Sequence, residues 1–201
     1  MSSRPTTDIS KACRSRALFV SQHVKRVSNR CPLVADKNII YSGAFVSYVA
    51  FFETQLEDLF VRQLAGELVH PTSMATPVVQ FPSQAVARDF VFSGRKYADW
   101  LPYKEHTQKR AQIYYSDDHP FNRLPPTLRT QLRNVSTLRN ALAHNSRHSM
   151  GQFKKTFIDN QQIPVREQSP AQFLRGQSTR SLTRFDVHIA TMVSAMDALC
   201  N

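Results

Sequence analysis

The sequence predicts an all-α fold, a helical bundle of about five main helices broken by an irregular Pro-rich stretch. Three observations carry that expectation. Apolar residues in three long segments recur at intervals of three and four, the period of one helix face. Strand-like alternation is confined to the short run from Pro77 to Phe81. The prolines gather between the periodic segments rather than inside them, where they would break a helix.

Taken in order, a first helix is expected from Asp8 to about Ser28, capped by Thr6, Thr7 or Asp8. Pro32 to Lys37 reads as a connector. The strongest helix runs from Ile39 to about Leu68, on a face built from Ile40, Ala44, Phe45, Tyr48, Val49, Phe52, Leu56, Leu59, Phe60 and Leu64. Pro71, Pro77 and Pro82 then mark irregular chain. Ser83 to Phe92 and Lys104 to Tyr115 are shorter helices, and Pro120, Pro125 and Pro126 interrupt again. Thr127 is the expected cap of a helix reaching about His144 on Leu128, Leu132, Val135, Leu138 and Leu142. Ser146 to Ile158 continues it, after a bend or as the same helix. A polar loop, Gln161 to Ser169, contains Pro164. Ser181 to Cys200 closes the chain as a helix on Leu182, Phe185, Ile189, Met192, Met196 and Leu199. No internal repeat or low-complexity run is present.

Composition narrows the function class. The 201 residues are 41% hydrophobic and 20% charged, enough apolar material for a real core and too little charge for a disordered chain. That length suits one compact domain, with residues 1–38 as an N-terminal helix and connector. The longest apolar stretch, Gly43 to Phe52, is interrupted by Ser47 and falls well short of the ~20 residues a bilayer span needs. The first thirty residues mix basic side chains with Asp8 and lack a signal-peptide block. The expectation is a soluble cytoplasmic protein with no membrane partner. Cys13, Cys31 and Cys200 form no CxxC pair, so reduced core or surface thiols are expected rather than a disulfide framework or zinc knuckle.

Positive charge dominates, with 26 Lys and Arg against 15 Asp and Glu and a formal net charge of +11. It is unevenly spread. From His119 to Ile158 there is no acid, while Arg123, Arg129, Arg133, Arg139, Arg147, Lys154 and Lys155 accompany His119, His144 and His148. A field of one sign draws polyanions to the surface, and phosphate-backbone binding is its first use. The plainer alternative is a solvated basic face. Glycine loops of the GxGxxG or GxxxxGK[ST] type are missing, as are GxSxG and HExxH. His144 and His148 have a possible metal-ligand spacing, but no carboxylate or cysteine lies near them in sequence, and a basic window repels a divalent cation. Glu53 and Glu57, one turn apart, suit a solvated helix face better than a paired-carboxylate hydrolase.

The segment from Leu138 to Ser146 is the informative one. Arg139, Asn140 and His144 sit among Leu and Ala near the end of a long helix. Asn140 and His144 are four apart and share a face; Arg139 lies about 140° round an ideal helix from His144, within swing of a long side chain. Metal-free RNA cleavage needs an acid or base near neutral pH, which His supplies, and a cation for the phosphate, which Arg supplies as a planar fork of donors. Asn orients either partner, and the RNA brings its own 2′-hydroxyl nucleophile. On spacing alone, a helix C-terminus with a dipole-favoured His explains the trio as well.

This segment resembles the Arg-x4-His signature of the HEPN superfamily, with Asn in the favoured polar position after the Arg. Phe51-Phe52-Glu53-Thr54-Gln55-Leu56-Glu57-Asp58-Leu59 resembles an early HEPN helix in which an acid follows an apolar run. Ser93-Gly94-Arg95-Lys96-Tyr97, Tyr114-Tyr115, His119-Pro120-Phe121 and Pro170-Ala171-Gln172-Phe173-Leu174 resemble the RiboL-PSP-HEPN branch. The resemblance spans roughly Ile39 to Leu199 and makes residues 39–201 the HEPN-like helical domain. It implies a two-fold dimer whose motif helices face each other across one cleft. It also implies a metal-independent endoribonuclease without a cofactor, of the kind that serves as a toxin or antiviral-defence effector, or a catalytically silent relative that binds RNA or a partner. By position, Arg139 and His144 would be the catalytic pair, Asn140 would help position them, and Glu53 would support the Arg, unless it is simply a surface acid. Arg95, Arg133, Arg147, Lys154 and Lys155 are the expected nucleic-acid backbone contacts. Expected partners are single-stranded or looped RNA, a second copy of the chain, and an antitoxin or a sensor or ATPase protein that restrains it.

Overall fold

A computed structural model describes residues 4–70, 77–144, 146–159 and 162–201, and the fold is all-α. Among the described residues the helices are α1 (Thr7–Arg30), α2 (Val34–Leu64), α3 (Gln84–Phe92), α4 (Lys109–Tyr114), α5 (Pro120–Arg123), α6 (Pro126–His144), α7 (Arg147–Phe153), α8 (Pro170–Arg175) and α9 (Arg184–Cys200). π-helical turns occupy Lys104–Gln108 and Lys154–Ile158, and a 3-10 turn occupies Val165–Glu167. The only ladder among them is a two-residue parallel pair, Arg4–Pro5 with Leu68–Val69. No helix among the described residues is long and apolar enough to cross a membrane.

The periodic segments become helices, and their boundaries follow local chemistry. α1 places Asp8 in its first turn and Arg30 in its last, complementing the helix dipole, and ends just before Pro32. α2 begins at Val34, inside the expected connector, and stops at Leu64 rather than near Leu68. The stop is a glycine signal that apolar spacing hides. Gly66 has φ 71°, its N–H donates to the Gln63 carbonyl (3.0 Å), and the Glu67 N–H donates to the Arg62 carbonyl (2.9 Å). That pair of bonds satisfies two of the carbonyls orphaned at the helix end. A Cβ at Gly66 would also strike the Gln80 side chain. Ser83, expected as the first residue of a helix, instead caps α3 by accepting from the Val86 N–H.

α6 starts at Pro126, so Thr127 is not its cap. Proline is pre-organised for the first helical position, and the Pro125 carbonyl accepts the first helical bond, from the Arg129 N–H (3.0 Å). The expected strand-like run from Pro77 makes a single antiparallel bridge, Pro77 with Tyr115. Pro71 and the following residues to 76, and Gln161 of the expected polar loop, lie outside the described residues. α5, α8 and the 3-10 turn are too short for periodicity to show. α5 and α8 each begin with proline, after His119 and Ser169, whose side chains accept from the backbone as caps.

The chain divides into two compact units, one of residues 1–14, 52–133 and 193–201, the other of residues 15–51 and 134–192. The divisions fall within α1, α2, α6 and α9.

In the first unit, Phe60 is the hub of the core. Its ring meets Tyr115 (4.9 Å between centroids), Phe121 (5.0 Å) and Trp100 (5.2 Å). Each polar end in this cluster is satisfied, as burial requires. The Tyr115 hydroxyl donates to the Phe60 carbonyl (2.7 Å), and Trp100 Nε1 donates to Glu57 (3.2 Å). The Tyr103 hydroxyl donates to the Phe121 carbonyl (2.8 Å), and burial holds the Tyr103 and Tyr115 phenols well above their ordinary range. Glu57 also pairs with Arg88 at 2.8 Å, which explains that acid structurally. Cys13 and Cys200 are buried thiols outside any disulfide, both pushed up to about 12 by burial, and Cys31, in the other unit, forms no disulfide either.

His119, buried in the same unit, lies stacked on Tyr115 (4.0 Å) and Phe121 (5.4 Å). Its Nδ1 accepts from the Phe121 N–H at 3.3 Å. Burial, followed by the neighbouring His70, lowers it from 6.5 to about 4, against an opposing pull from Asp118. The folded value lies below the unfolded one, so its stabilising contribution is complete above about 6.5. It is lost as pH falls towards 4, because the unfolded chain takes up the proton first. The whole window amounts to about 3 kcal/mol. Urea unfolding at pH 7 and pH 4.5 should show most of that loss in the parent chain. His119→Asn keeps an acceptor for the cap without the titration and should remove about half of the total dependence, because His188 is lowered to about 4 as well; equal slopes in both chains would assign the acid sensitivity elsewhere.

The second unit is built on phenylalanines. Phe157 and Phe173 (4.8 Å between centroids) and Phe153 and Phe173 (5.7 Å) form one group. Phe185 packs against Tyr41 (5.4 Å) and Phe45 (6.4 Å). Arg184 lies over the Phe173 ring (4.7 Å) and pairs with Glu167 (2.8 Å), while Arg175 donates to Asn38 (2.7 Å).

Candidate functional site

α6 ends at His144, so the motif residues occupy its last two turns. The helix buries Leu138 and Ala141 and leaves Arg139 and Asn140 half-buried at its margin. Arg139 Nη1 donates to Asn140 Oδ1 at 3.0 Å, so the guanidinium and the amide form one polar unit. His144 is exposed at this helix end. A pinned donor fork and an accessible imidazole within one helix end can address a phosphate and a proton-transfer site together. Asn145, next in the motif segment, lies outside the described residues.

The chain beyond does not continue α6. α7 starts at Arg147 behind its own capping box: the Ser149 N–H donates to Ser146 Oγ (3.1 Å) and the Ser146 N–H donates to Ser149 Oγ (3.0 Å). His144 and His148 therefore do not share one helix face, which removes the helical i,i+4 geometry considered for a metal pair. Among the described residues no three His, Cys, Asp or Glu side chains are grouped to hold a metal ion. Arg147 is exposed in the first turn of α7. Lys154 and Lys155 open the following π-helical turn, exposed, while Phe153 and Phe157 on either side are buried. Arg139, Asn140, His144, Arg147, Lys154 and Lys155 thus belong to one unit.

Glu53, Arg95 and Arg133 belong to the other. Glu53 is half-buried on α2. Arg95 is exposed after the C-cap of α3, where Ser93 and Gly94 both take positive φ and the Arg95 N–H donates to the Phe92 carbonyl (3.1 Å). Arg133 lies on α6 beside an open groove lined with Lys104, Glu105, Pro126, Arg129 and Thr130. Arg129, which belongs to the acid-free window but not to the expected backbone contacts, lines the same groove and donates to Gln108 at 2.9 Å. Its spacing of four from Arg133, one turn of a helix, was the available signal.

His188 was passed over. It sits half-buried among Phe45 (6.1 Å), Phe157 (5.9 Å) and Phe173 (6.3 Å). Desolvation by these rings, then Arg184, lowers it to about 4. The aromatic periodicity of α9 and α2 hides such a histidine, because its enclosure comes from residues far apart in sequence. Comparison with protein-family models, with curated proteins and with solved structures finds no match to this chain.

Proposed function

We propose that the chain is a HEPN-type endoribonuclease that cleaves RNA by 2′-hydroxyl transesterification without a metal ion. The observation that carries this reading is the end of α6: a guanidinium held by an adjacent amide, with an exposed imidazole in the same two turns, in a window of 40 residues that has seven Lys and Arg and no acid. In this mechanism the 2′-oxygen forms a bond to phosphorus as the bond to the 5′-oxygen breaks. His144 takes the 2′-hydroxyl proton, and the His144 copy of a second chain protonates the leaving oxygen. Arg139 stabilises charge developing on the phosphoryl oxygens, and Asn140 fixes its orientation. Arg147, Lys154 and Lys155 hold the backbone of a single-stranded or looped substrate, in which a 2′-hydroxyl can reach in-line geometry. Such an enzyme acts in the cytoplasm as a toxin or defence effector, restrained by an antitoxin or sensor protein.

Incubation of single-stranded RNA with the chain in EDTA should yield fragments ending in 2′,3′-cyclic phosphate and starting with 5′-hydroxyl. Cleavage that stops in EDTA and returns with added metal would overturn the mechanism. RNA binding without cleavage by a dimeric chain would instead favour a catalytically silent HEPN-like subunit.

A further inference from the structure

We propose that α1 is a docking strip for single-stranded RNA, with Phe19 and His23 as a base-stacking platform and Arg16, Arg26 and Arg30 as its phosphate contacts. The strip lies outside the segment that carries the Arg-x4-His resemblance, and it rests on the ribonuclease reading only in taking RNA as the polyanion.

Spacing comes first. Residues 16, 19, 23, 26 and 30 step by three, four, three and four, so they form one face of a continuous helix. All five are exposed, and Phe19, at 54% exposure, is a large aromatic presented to solvent rather than to the core. The opposite face, with Ala17, Val20 and Val24, is buried. On the exposed face the side chains are already arranged. Phe19 and His23 stack with their rings 5.7 Å apart and 19° from parallel. Arg16 lies 5.6 Å over the Phe19 ring, and Arg26 donates to His23 Nδ1 at 3.1 Å. The stack therefore has a guanidinium at each end, with Arg30 one further turn along.

Charge selects the occupant. Between Asp8 and Asp36 the chain has no acid, and it carries Lys11, Arg14, Arg16, Lys25, Arg26 and Arg30. This is a second acid-free window beside the one containing the motif. Lys25 pairs with Asp186, so the arginines supply the outward charge on the strip. A polyanion with flat rings matches flat aromatic surfaces flanked by cations, since base stacking supplies affinity and phosphate contacts supply the salt dependence. A membrane-lying helix needs a broad apolar face; between residues 15 and 30 the large exposed apolar side chains are Leu18 and Phe19 alone.

The test titrates a fluorescent single-stranded oligoribonucleotide with the full chain over a range of salt concentrations. His144→Ala is carried throughout to prevent turnover, so binding is read whether or not the parent chain cleaves. Phe19→Ala should weaken binding by about 5- to 150-fold. Arg16→Gln/Arg26→Gln/Arg30→Gln should lower the slope of log affinity against log salt by about 2. Leu18→Ala, exposed beside the stack but outside it, should bind as the parent does. Unchanged helicity would confirm that the variants fold, as expected for exposed positions. Equal losses in Phe19→Ala and Leu18→Ala would overturn the proposal, as would unchanged RNA affinity in Phe19→Ala. In the second case, loss of binding to phosphatidylserine vesicles would assign α1 to a membrane surface, and loss of dimer in sedimentation would assign it to a second copy. A parent chain that binds RNA through Phe19 but never cleaves would defeat the catalytic reading and leave this one standing.

Discussion

His144→Ala should lower RNA cleavage by about 10²- to 10⁴-fold, the usual contribution of a positioned general acid or base. The imidazole is exposed at the end of α6, so its removal opens no cavity and the fold should be retained. Arg139→Ala should cost a comparable factor, about 10²- to 10³-fold, through lost charge stabilisation at the phosphoryl oxygens. Arg139 is half-buried and bonded to Asn140, so its conservative variant matters more. Arg139→Lys keeps the charge but loses the two-pronged geometry, and should recover RNA binding far better than it recovers rate. Single-turnover cleavage, with binding measured separately, distinguishes the two. If His144→Ala cleaves as the parent does, the motif is not the catalytic centre, and the exposed imidazole is only a surface side chain at a helix terminus.

Phe60→Ala should destabilise the chain by about 3 to 5 kcal/mol, the range for truncating a buried aromatic. Phe60 has no exposed surface and touches Trp100, Tyr115 and Phe121, while its carbonyl receives the Tyr115 hydroxyl. Truncation leaves a cavity whose walls include two rings held by their own hydrogen bonds, Trp100 and Tyr115, so relaxation should fill little of it. In a chain of this length the midpoint of thermal unfolding should fall by roughly 6 to 20 °C. Phe60→Leu refills most of the volume and should recover much of that loss. A midpoint within 2 °C of the parent would show that the cluster collapses around the gap.

Much of the fold was legible because helical packing writes a period into the sequence. Phe45, Tyr48, Val49, Phe52, Leu56, Leu59 and Leu64 are buried as their spacing along α2 required, and so are Leu132, Val135 and Leu138 on α6 and Ile189, Met192 and Met196 on α9. Ends were less legible. Gly66 stops α2 through a left-handed backbone and two return bonds, and Pro126 rather than Thr127 opens α6. The trio at the end of α6 was visible because polar side chains interrupt an apolar pattern there. The α1 strip was not, because basic and aromatic residues at helical spacing read as an ordinary amphipathic surface until the ring stack and its exposure are known.

The sequence by itself determined the helical class, most of the residues that face the cores and the placing of Arg139, Asn140 and His144 near one helix end, since all three depend on a local period of 3.6 residues; Leu182, expected on the last helix face, instead precedes α9 and is exposed. The tertiary structure decided which distant side chains meet. Residues 60, 100, 115 and 121 form one aromatic cluster, and His188 is enclosed by residues 45, 157 and 173. It also decided that Arg139, Asn140 and His144 fall in one unit while Glu53, the acid expected to support the Arg, falls in the other. Contacts between residues far apart in the chain depend on how whole helices pack and on which rings fill the space between them, and a period confined to one helix carries no record of either.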